Sequence, residues 1–209
     1  AGILNYKLSG KLLYLQNITT ARQADCREVY SFGNDETYVD LGAYDGDTIK
    51  EFLNFTKGSY REIVALEPDK KNFKKLKRYV EDAALEHVNI INKGIWSEEG
   101  TMNFAESGGR QSAFAETGMV SVPVDAVDNI MKGSYVSYIK FDVEGAEYEA
   151  LLGARETIDR WQPKLFVAAY HRDSDLWQLP LLLWKLNEKY AIYLRKHPYV
   201  PAWELNFLA

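Results

Sequence analysis

Residues 38–47, YVDLGAYDGD, decide the fold of this 209-residue chain. A hydrophobic strand runs into Asp40, Gly42 and Gly46, and an amphipathic helix begins near Asp47. In α/β sheets, a glycine turn between a strand and a helix brings bare backbone close to a nucleoside-type ligand. The spacing D-x-G-x-x-x-G differs from the G-x-G-x-x-G of dinucleotide folds, and the Gly-Lys-Ser/Thr of a phosphate loop does not follow. The turn therefore predicts an α/β sheet with a nucleoside-type ligand at the end of this strand.

An acidic residue at the end of the next strand is the second predicted ligand contact. Residues 62–66 form a buried strand by pattern, Pro68 stops that strand, and Asp69 can cap the following helix. A carboxylate at this position, Glu67, can accept hydrogen bonds from two ribose hydroxyls. Dinucleotide folds place an acid at a similar position, so Glu67 alone does not distinguish a dinucleotide from another nucleoside-type ligand. The spacing of Gly42 and Gly46 has to make that distinction. The turn is similar to the first motif of S-adenosylmethionine-dependent methyltransferases.

Residues 138–147, YIKFDVEGAE, carry the most specific resemblance in the chain. The FkbM family of methyltransferases has an I-K-x-D-V-E-G-x-E segment here, and this chain resembles that family. The other matching motifs follow the family's order: the Asp40 turn, Glu67-Pro68, NKGIW at 92–96 and VPVD at 122–125. The resemblance spans roughly Tyr38 to the C-terminus. It implies a class I methyltransferase fold, S-adenosyl-L-methionine as cofactor and O-methylation of a hydroxyl on a sugar, glycan or natural product.

The resemblance also implies a set of cofactor contacts. They are Asp40, Gly42, Gly46, Glu67, Asn92, Gly94, Trp96 and Asp142. Trp96 follows the third predicted strand, where class I methyltransferases hold adenine. Stacking on the base and burial in the core are both open for this side chain.

Strands and helices alternate from Thr37 onward, which predicts a mostly parallel sheet with helices on both faces. Predicted strands are 37–42, 62–67, 88–93, 136–142 and 164–169, and predicted helices are 47–56, 69–83, 147–158 and 175–188. Two further strands, at 190–195 and 203–208, flank a proline-containing turn at 198–201. They resemble the antiparallel pair that closes a class I methyltransferase sheet. The expected fold is therefore a Rossmann-like, seven-stranded sheet with an antiparallel C-terminal pair.

Composition indicates one soluble domain. With 46% hydrophobic residues, the chain is long enough for one sizeable core, and its net charge of −5 gives no broad attraction to nucleic acid or to an anionic membrane. Cys26 is the single cysteine, which excludes an internal disulfide and favours a cytoplasmic protein. We expect residues 1–36 to be a helical extension and 37–209 the methyltransferase domain. Because the sequence starts with Ala-Gly rather than Met, we expect it to be part of a longer chain, in which a further N-terminal domain can precede it.

The predicted catalytic residues are His171, Glu144 and Asp142. His171 follows a strand at the sheet edge where open α/β sheets bind ligands, and a histidine or carboxylate can take the hydroxyl proton. Asp142 ends another strand, Glu144 can hold the acceptor or act as base, and Glu147 is expected to begin the next helix. A small-molecule or carbohydrate acceptor would meet further polar groups and an aromatic surface after His171.

Other segments leave two interpretations each. Arg195, His197 and Trp203 can complete the acceptor wall or belong to the closing strand pair. The loop at 105–118 is rich in glycine and small polar residues, and residues 107–117 within it are either a lid over the acceptor or a plain connection.

Alternative functions remain open at this stage. The clustered acids can hold a divalent cation, as in metal-dependent O-methyltransferases, although the resemblance requires no metal. A non-catalytic S-adenosylmethionine-binding module would keep the same fold and donor residues. The Asn/Asp-Pro-Pro-Tyr/Phe segment typical of base N-methylating enzymes does not occur in the sequence, which disfavours a nucleic-acid substrate.

Overall fold

A seven-stranded sheet forms the centre of the computed structural model, which describes residues 1–105, 119–198 and 204–209. The strands are β1 (Thr37–Leu41), β2 (Glu62–Leu66), β3 (Val88–Ile91), β4 (Gly94–Ile95), β5 (Gly100–Ala105), β6 (Met119–Asp125), β7 (Tyr138–Phe141), β8 (Lys164–Ala168), β9 (Tyr193–Lys196) and β10 (Leu205–Leu208). The helices are α1 (Gly2–Ser9), α2 (Leu13–Gln16), α3 (Arg22–Val29), α4 (Asp47–Thr56), α5 (Lys70–Asp82), α6 (Val127–Met131), α7 (Glu147–Leu152), α8 (Arg155–Trp161) and α9 (Asp175–Leu186).

The order of the large sheet is β3-β2-β1-β7-β8-β10-β9. Every neighbouring pair from β3 to β8 is parallel, while β10 runs antiparallel to both β8 and β9. Because parallel strands end at the same edge, the turns after β1, β2, β7 and β8 are brought side by side. The predicted fold class is confirmed.

The small three-stranded sheet β4-β6-β5 is the main feature that the sequence did not predict. The strand predicted at 88–93 ends at Ile91, and the next two-residue strand pairs with β6 instead. The side-chain amide of Asn92 accounts for the break, since it donates to the backbone oxygens of Glu67 at 2.7 Å and Pro68 at 3.1 Å. The chain is therefore tied to the end of β2 before it turns into the second sheet.

The helix predicted at 147–158 is interrupted at Gly153, between α7 and α8. A Cβ atom at this glycine would lie 2.2 Å from the backbone oxygen of Trp96. The two short helices therefore meet where the chain touches the segment that follows β4. The other predicted helices, at 47–56, 69–83 and 175–188, correspond to α4, α5 and α9, whereas α6 was not predicted. The side chain of Asp69 caps α5 by accepting from the amides of Lys71 and Asn72.

Both faces of the large sheet are covered by apolar side chains. In β1, Tyr38 belongs to one buried cluster, while Val39 and Leu41 belong to the other. This alternation is what a strand buried on both faces requires. Within the described ranges, no helix is long and apolar enough to cross a membrane.

The N-terminal helices differ in how they contact the sheet. No residue of α1 is buried, whereas Cys26 of α3 and the following Tyr30 lie in the same cluster as Tyr38. The Tyr30 hydroxyl also donates to the backbone oxygen of Leu165. The predicted division into residues 1–36 and 37–209 stays a prediction.

Candidate active site

The glycine turn after β1 is held tightly by the protein itself. Gly42 has φ +84°, and a Cβ atom there would lie 2.0 Å from the backbone oxygen of Asp142. Gly46 has φ +95°, and a Cβ atom there would lie 2.4 Å from the ring of Tyr79. The backbone amides of Gly42 and Ala43 both donate to the oxygen of Leu66, at 3.0 and 2.9 Å. A side chain at either glycine would therefore displace the turn whether or not a ligand is bound.

Glu67 connects this turn to the end of β2. One carboxylate oxygen accepts from the backbone amide of Tyr44 at 2.8 Å, and the other accepts from that of Asp69 at 2.9 Å. Only 6% of the residue is exposed. Burial raises the pKa of Glu67 to about 7, although the two amide hydrogen bonds favour the ionised form and partly offset this rise.

A buried lysine lies beneath the turn. Lys140 of β7 is 1% exposed, and its Nζ lies 3.5 Å from Oδ1 of Asp40 and 3.5 Å from Oδ2 of Asp142. The same ammonium group donates to the backbone oxygen of Gly42 at 3.2 Å. Asp40 is fully buried and also accepts from the Thr48 hydroxyl. Its observed contacts are thus with the protein, and its predicted cofactor contact stays a prediction.

Sequence reasoning did not assign a role to Lys140. The available signal was a lysine between Ile139 and Phe141 inside a hydrophobic strand. A charged residue at such a position is buried only when it is paired. Its contacts with Asp40 and with the backbone oxygen of Gly42 link β7 to the end of β1 and to the glycine turn.

A second cluster gathers at the ends of β7 and β8. His171 Nε2 lies 3.6 Å from Asp142 Oδ1 and 3.5 Å from Glu144 Oε2, while Nδ1 lies 2.7 Å from Glu147 Oε1. The Tyr170 hydroxyl donates to Asp142 at 3.1 Å. The three predicted catalytic residues are therefore brought together. Glu147 begins α7 as expected, and it also anchors the imidazole, which the sequence did not predict.

The turn between β7 and α7 directs these carboxylates. Glu144 and Gly145 have φ values of +54° and +96°, which reverse the chain within two residues. The Oε1 atom of Glu147 accepts from the amide of Val143 at 2.9 Å and from that of Gly145 at 3.4 Å. The φ of +96° at Gly145 favours glycine, and a Cβ atom there would also lie 3.1 Å from Nε of Arg172, in the loop that carries His171.

The charge state of His171 follows from its neighbours. Burial alone would lower the pKa of its imidazole, but the hydrogen bond to Glu147 and the charges of Glu147, Asp142 and Glu144 raise it to about 9. The imidazole therefore carries a proton at neutral pH, whereas a general base must be free to accept one. The proton-acceptor role predicted for His171 therefore stays a prediction.

The remaining predicted site residues are described by their own contacts and burial. Gly94 is buried against the side chain of Val124, and half-buried Trp96 donates its backbone amide to Asp125 at 2.8 Å. His197 is 2% exposed and stacks on Phe166, so it does not form an exposed acceptor wall. Trp203 and the predicted lid at 107–117 lie outside the described residues.

The comparisons with known proteins bear on both fold and family. The family model for the methyltransferase FkbM domain matches residues 40–201. A crystal structure of methyltransferase FkbM from Methylobacillus flagellatus KT superposes with a TM-score of 0.83 at 25% identity, covering 99% of this chain and 52% of that one. The chain thus spans about half the length of that protein. No curated protein matches this sequence.

More distant structures share the fold alone. An rRNA methylase from Streptococcus thermophilus has a TM-score of 0.55 at 13% identity, with 87% of this chain and 88% of that chain covered. A putative methyltransferase from Streptococcus mutans, solved in complex with SAH, has a TM-score of 0.50 at 12% identity, with coverages of 83% and 89%. These similarities agree with the strand order of the large sheet.

Proposed function

This chain belongs to the methyltransferase FkbM domain family, and on that premise we propose that it transfers the methyl group of S-adenosylmethionine to a hydroxyl of a sugar, glycan or other small natural product. One observation carries the proposal. The glycine turn and Glu67 are hydrogen-bonded to each other at the same sheet edge that bears Asp142, Glu144 and His171. Donor-binding and acceptor-binding groups would therefore face one another across a single cleft.

Glu67 supports the donor half of the proposal. Each of its carboxylate oxygens accepts one backbone amide, and an ionised carboxylate has about four acceptor positions. Both oxygens can therefore still accept a ribose hydroxyl while the amides hold them in place. The Streptococcus mutans neighbour, which was solved with SAH, has the same kind of fold and gives a suitable ligand for the test.

The cluster on β7 and β8 supports the acceptor half. The sulfonium of the donor is already activated, so the protein must align an acceptor oxygen with the methyl group and help to remove its proton. The carboxylate of Glu144 is 47% exposed, which makes it the accessible base of the cluster. We assign Asp142 and His171 to binding and orienting the hydroxyl.

A groove between α7 and α9 reaches the loop after β8 at Arg172, the residue that follows His171. Its volume is about 450 Å³, and it is lined by Tyr148, Glu149, Arg172, Gln178, Leu181, Leu182 and Lys185, so its lining does not include Asp142, Glu144 or His171. Trp177, at the start of α9, is 56% exposed and offers a flat surface of the kind that packs against a sugar ring. This exposed ring, close to His171 in the chain, supports a carbohydrate-like molecule as the acceptor class.

Ligand binding followed by product detection tests the proposal. In calorimetry, S-adenosylhomocysteine should bind with one site per chain, while NAD should show no binding at the same concentration. Small-molecule and glycan extracts incubated with isotope-labelled donor should then yield a labelled product whose methyl group is attached to oxygen. Tighter binding of NAD would refute the donor assignment. Donor binding with no transfer to any extract would favour a non-catalytic binding module.

A further inference from the structure

Three side chains at the ends of β7 and β8 have the composition of a metal-ligand set. Asp142, Glu147 and His171 each offer one donor atom, and these atoms all lie within 4.8 Å of one another. Two carboxylates with one imidazole form an oxygen and nitrogen set that suits divalent first-row cations. The ligands come from the end of β7, the first turn of α7 and the end of β8, so the sheet edge itself holds them in place.

An unsatisfied oxygen in Glu147 gives independent support. The residue is 1% exposed, and its Oε1 already accepts from Val143 and Gly145 and contacts His171 Nδ1. Its Oε2 is buried and has no hydrogen-bond partner within the described part of the chain. Burying a carboxylate oxygen without a partner costs free energy, and native proteins rarely leave one in that state. A cation bound between Glu147 and Asp142 would supply such a partner.

The cluster is also open on one side. The side chains of Asp142 and Glu144 are 30% and 47% exposed, whereas those of His171 and Glu147 are 10% and 1% exposed. An ion can therefore enter past the two exposed carboxylates and meet the buried ligands behind them. Glu144, with its Oε2 3.5 Å from His171 Nε2, lies at this open side of the cluster.

We propose that Asp142, Glu147 and His171 bind one divalent cation, with Mn²⁺ preferred over Mg²⁺. The preference follows from the imidazole ligand, because Mg²⁺ favours oxygen ligands and keeps several of its waters. The competing occupant of this cluster is a proton on His171.

The role of this ion rests on the proposed function. A cation held by Asp142, Glu147 and His171 would help a nearby acceptor hydroxyl to lose its proton, because the positive charge would stabilise the oxygen anion. The proton passes to the carboxylate of Glu144, and the oxygen then forms a bond to the methyl carbon. The sulfur–carbon bond breaks, and its electron pair stays on sulfur, which becomes the neutral thioether of S-adenosylhomocysteine.

Mn²⁺ binding can be measured directly, without donor or acceptor. Chelator-treated protein is titrated with Mn²⁺ while the electron paramagnetic resonance signal of the free ion is followed. The expected result is one bound ion per chain, with at least about tenfold weaker binding in the Glu147→Gln and Asp142→Asn variants. Glu156→Gln, which removes an exposed carboxylate from α8, is the control and should bind as the unmodified protein does. Mg²⁺ should displace Mn²⁺ only at a large excess.

Two outcomes overturn the proposal. One is a free-ion signal that stays undiminished up to millimolar Mn²⁺, which would assign the cluster to a proton alone. The other is equal Mn²⁺ affinity in the unmodified protein and in both cluster variants, with thermal unfolding confirming that the variants are folded. Calorimetry with S-adenosylhomocysteine separates the two hypotheses. Donor binding without Mn²⁺ binding removes only the metal site, and Mn²⁺ binding without donor binding removes only the proposed methyl transfer.

Discussion

At the scale of single residues, Glu67 shows how one carboxylate can serve both the fold and the proposed ligand site. One of its oxygens accepts from Tyr44 in the glycine turn, and the other accepts from Asp69, which precedes α5. The carboxylate therefore connects the two segments. Its burial brings the pKa to about 7, far above the ordinary value of 4.5. The ionised form of Glu67, which accepts ribose hydroxyls most strongly, is therefore fully populated only above neutral pH.

The first prediction concerns the stability of a Glu67→Gln variant as a function of pH. Because the pKa of Glu67 is higher in the folded protein, its protonated form favours folding below about pH 4.5, and this contribution is lost as the pH rises to about 7. The free energy of unfolding of the variant should thus rise relative to the unmodified protein over this range, by on the order of 2 kcal/mol. Urea titrations at several pH values measure the difference.

Donor affinity should increase with pH, whereas the contribution of Glu67 to stability decreases with pH. The affinity of the unmodified protein for S-adenosylhomocysteine should increase through pH 7 as the carboxylate ionises, while that of Glu67→Gln should stay flat and about tenfold weaker at pH 8. Glu62→Gln, at the other end of β2, is the matched control. A variant that binds with the same pH dependence as the unmodified protein would remove Glu67 from the donor site.

At the scale of helices and strands, the sequence predicted the elements that have a clear period and a clear stop. The strand ending at Leu66 is predicted well because Pro68 follows it, and α4 occupies the predicted residues. The strand β4 is missed because two residues carry no period, and only pairing with β6 makes them a strand. Such pairing depends on distant residues that no local pattern contains.

The same distinction applies to the candidate site. Asp142 and His171 were predictable as neighbours, because both follow parallel strands and such strands end at one edge. The roles of Lys140 and Glu147 were not predictable, because both are charged residues that general tendencies place at the surface. Their burial is explained only by partners that the fold supplies, namely two aspartates for the lysine and an imidazole for the glutamate.

The break between α7 and α8 predicts the effect of adding one methyl group at Gly153. Replacing glycine by alanine usually stabilises a helix, but a Cβ atom at Gly153 would lie 2.2 Å from the Trp96 oxygen and 3.1 Å from Ser97 Cα. Gly153→Ala should therefore push the segment after β4 away and lower the free energy of unfolding by about 1–3 kcal/mol. Thermal and urea unfolding measure this loss.

A control variant isolates the steric effect. Gly33 has no positive φ, and the nearest atom to an added Cβ is an oxygen of Glu36 at 3.8 Å. Gly33→Ala should therefore leave the stability unchanged or slightly raised. Equal stabilities for the two alanine variants would show that the contact between Gly153 and Trp96 does not restrict the helices.

At the scale of the whole molecule, the first 36 residues do not behave as one unit in their contacts. The ion pair of Lys7 with Asp173 joins α1 to the loop after β8, and both side chains are largely exposed. In contrast, Nε of Arg22 in α3 lies 2.9 Å from Oε2 of Glu51, and its Cζ lies 4.4 Å from the centre of the Phe166 ring. The extension predicted for residues 1–36 therefore combines a peripheral helix with a segment that contributes to the core.

Two deletions test this difference. Removing residues 1–10 takes away an exposed helix and an exposed ion pair, so the free energy of unfolding should fall by less than about 1 kcal/mol. Removing residues 1–30 also deletes the buried Cys26 and Tyr30 side chains and the Arg22 contacts. Loss of one large buried aromatic residue alone costs about 3–5 kcal/mol, so this shorter chain should unfold at a much lower temperature or fail to fold. Comparable unfolding temperatures for both deletions would support the division into residues 1–36 and 37–209 that was predicted from the sequence.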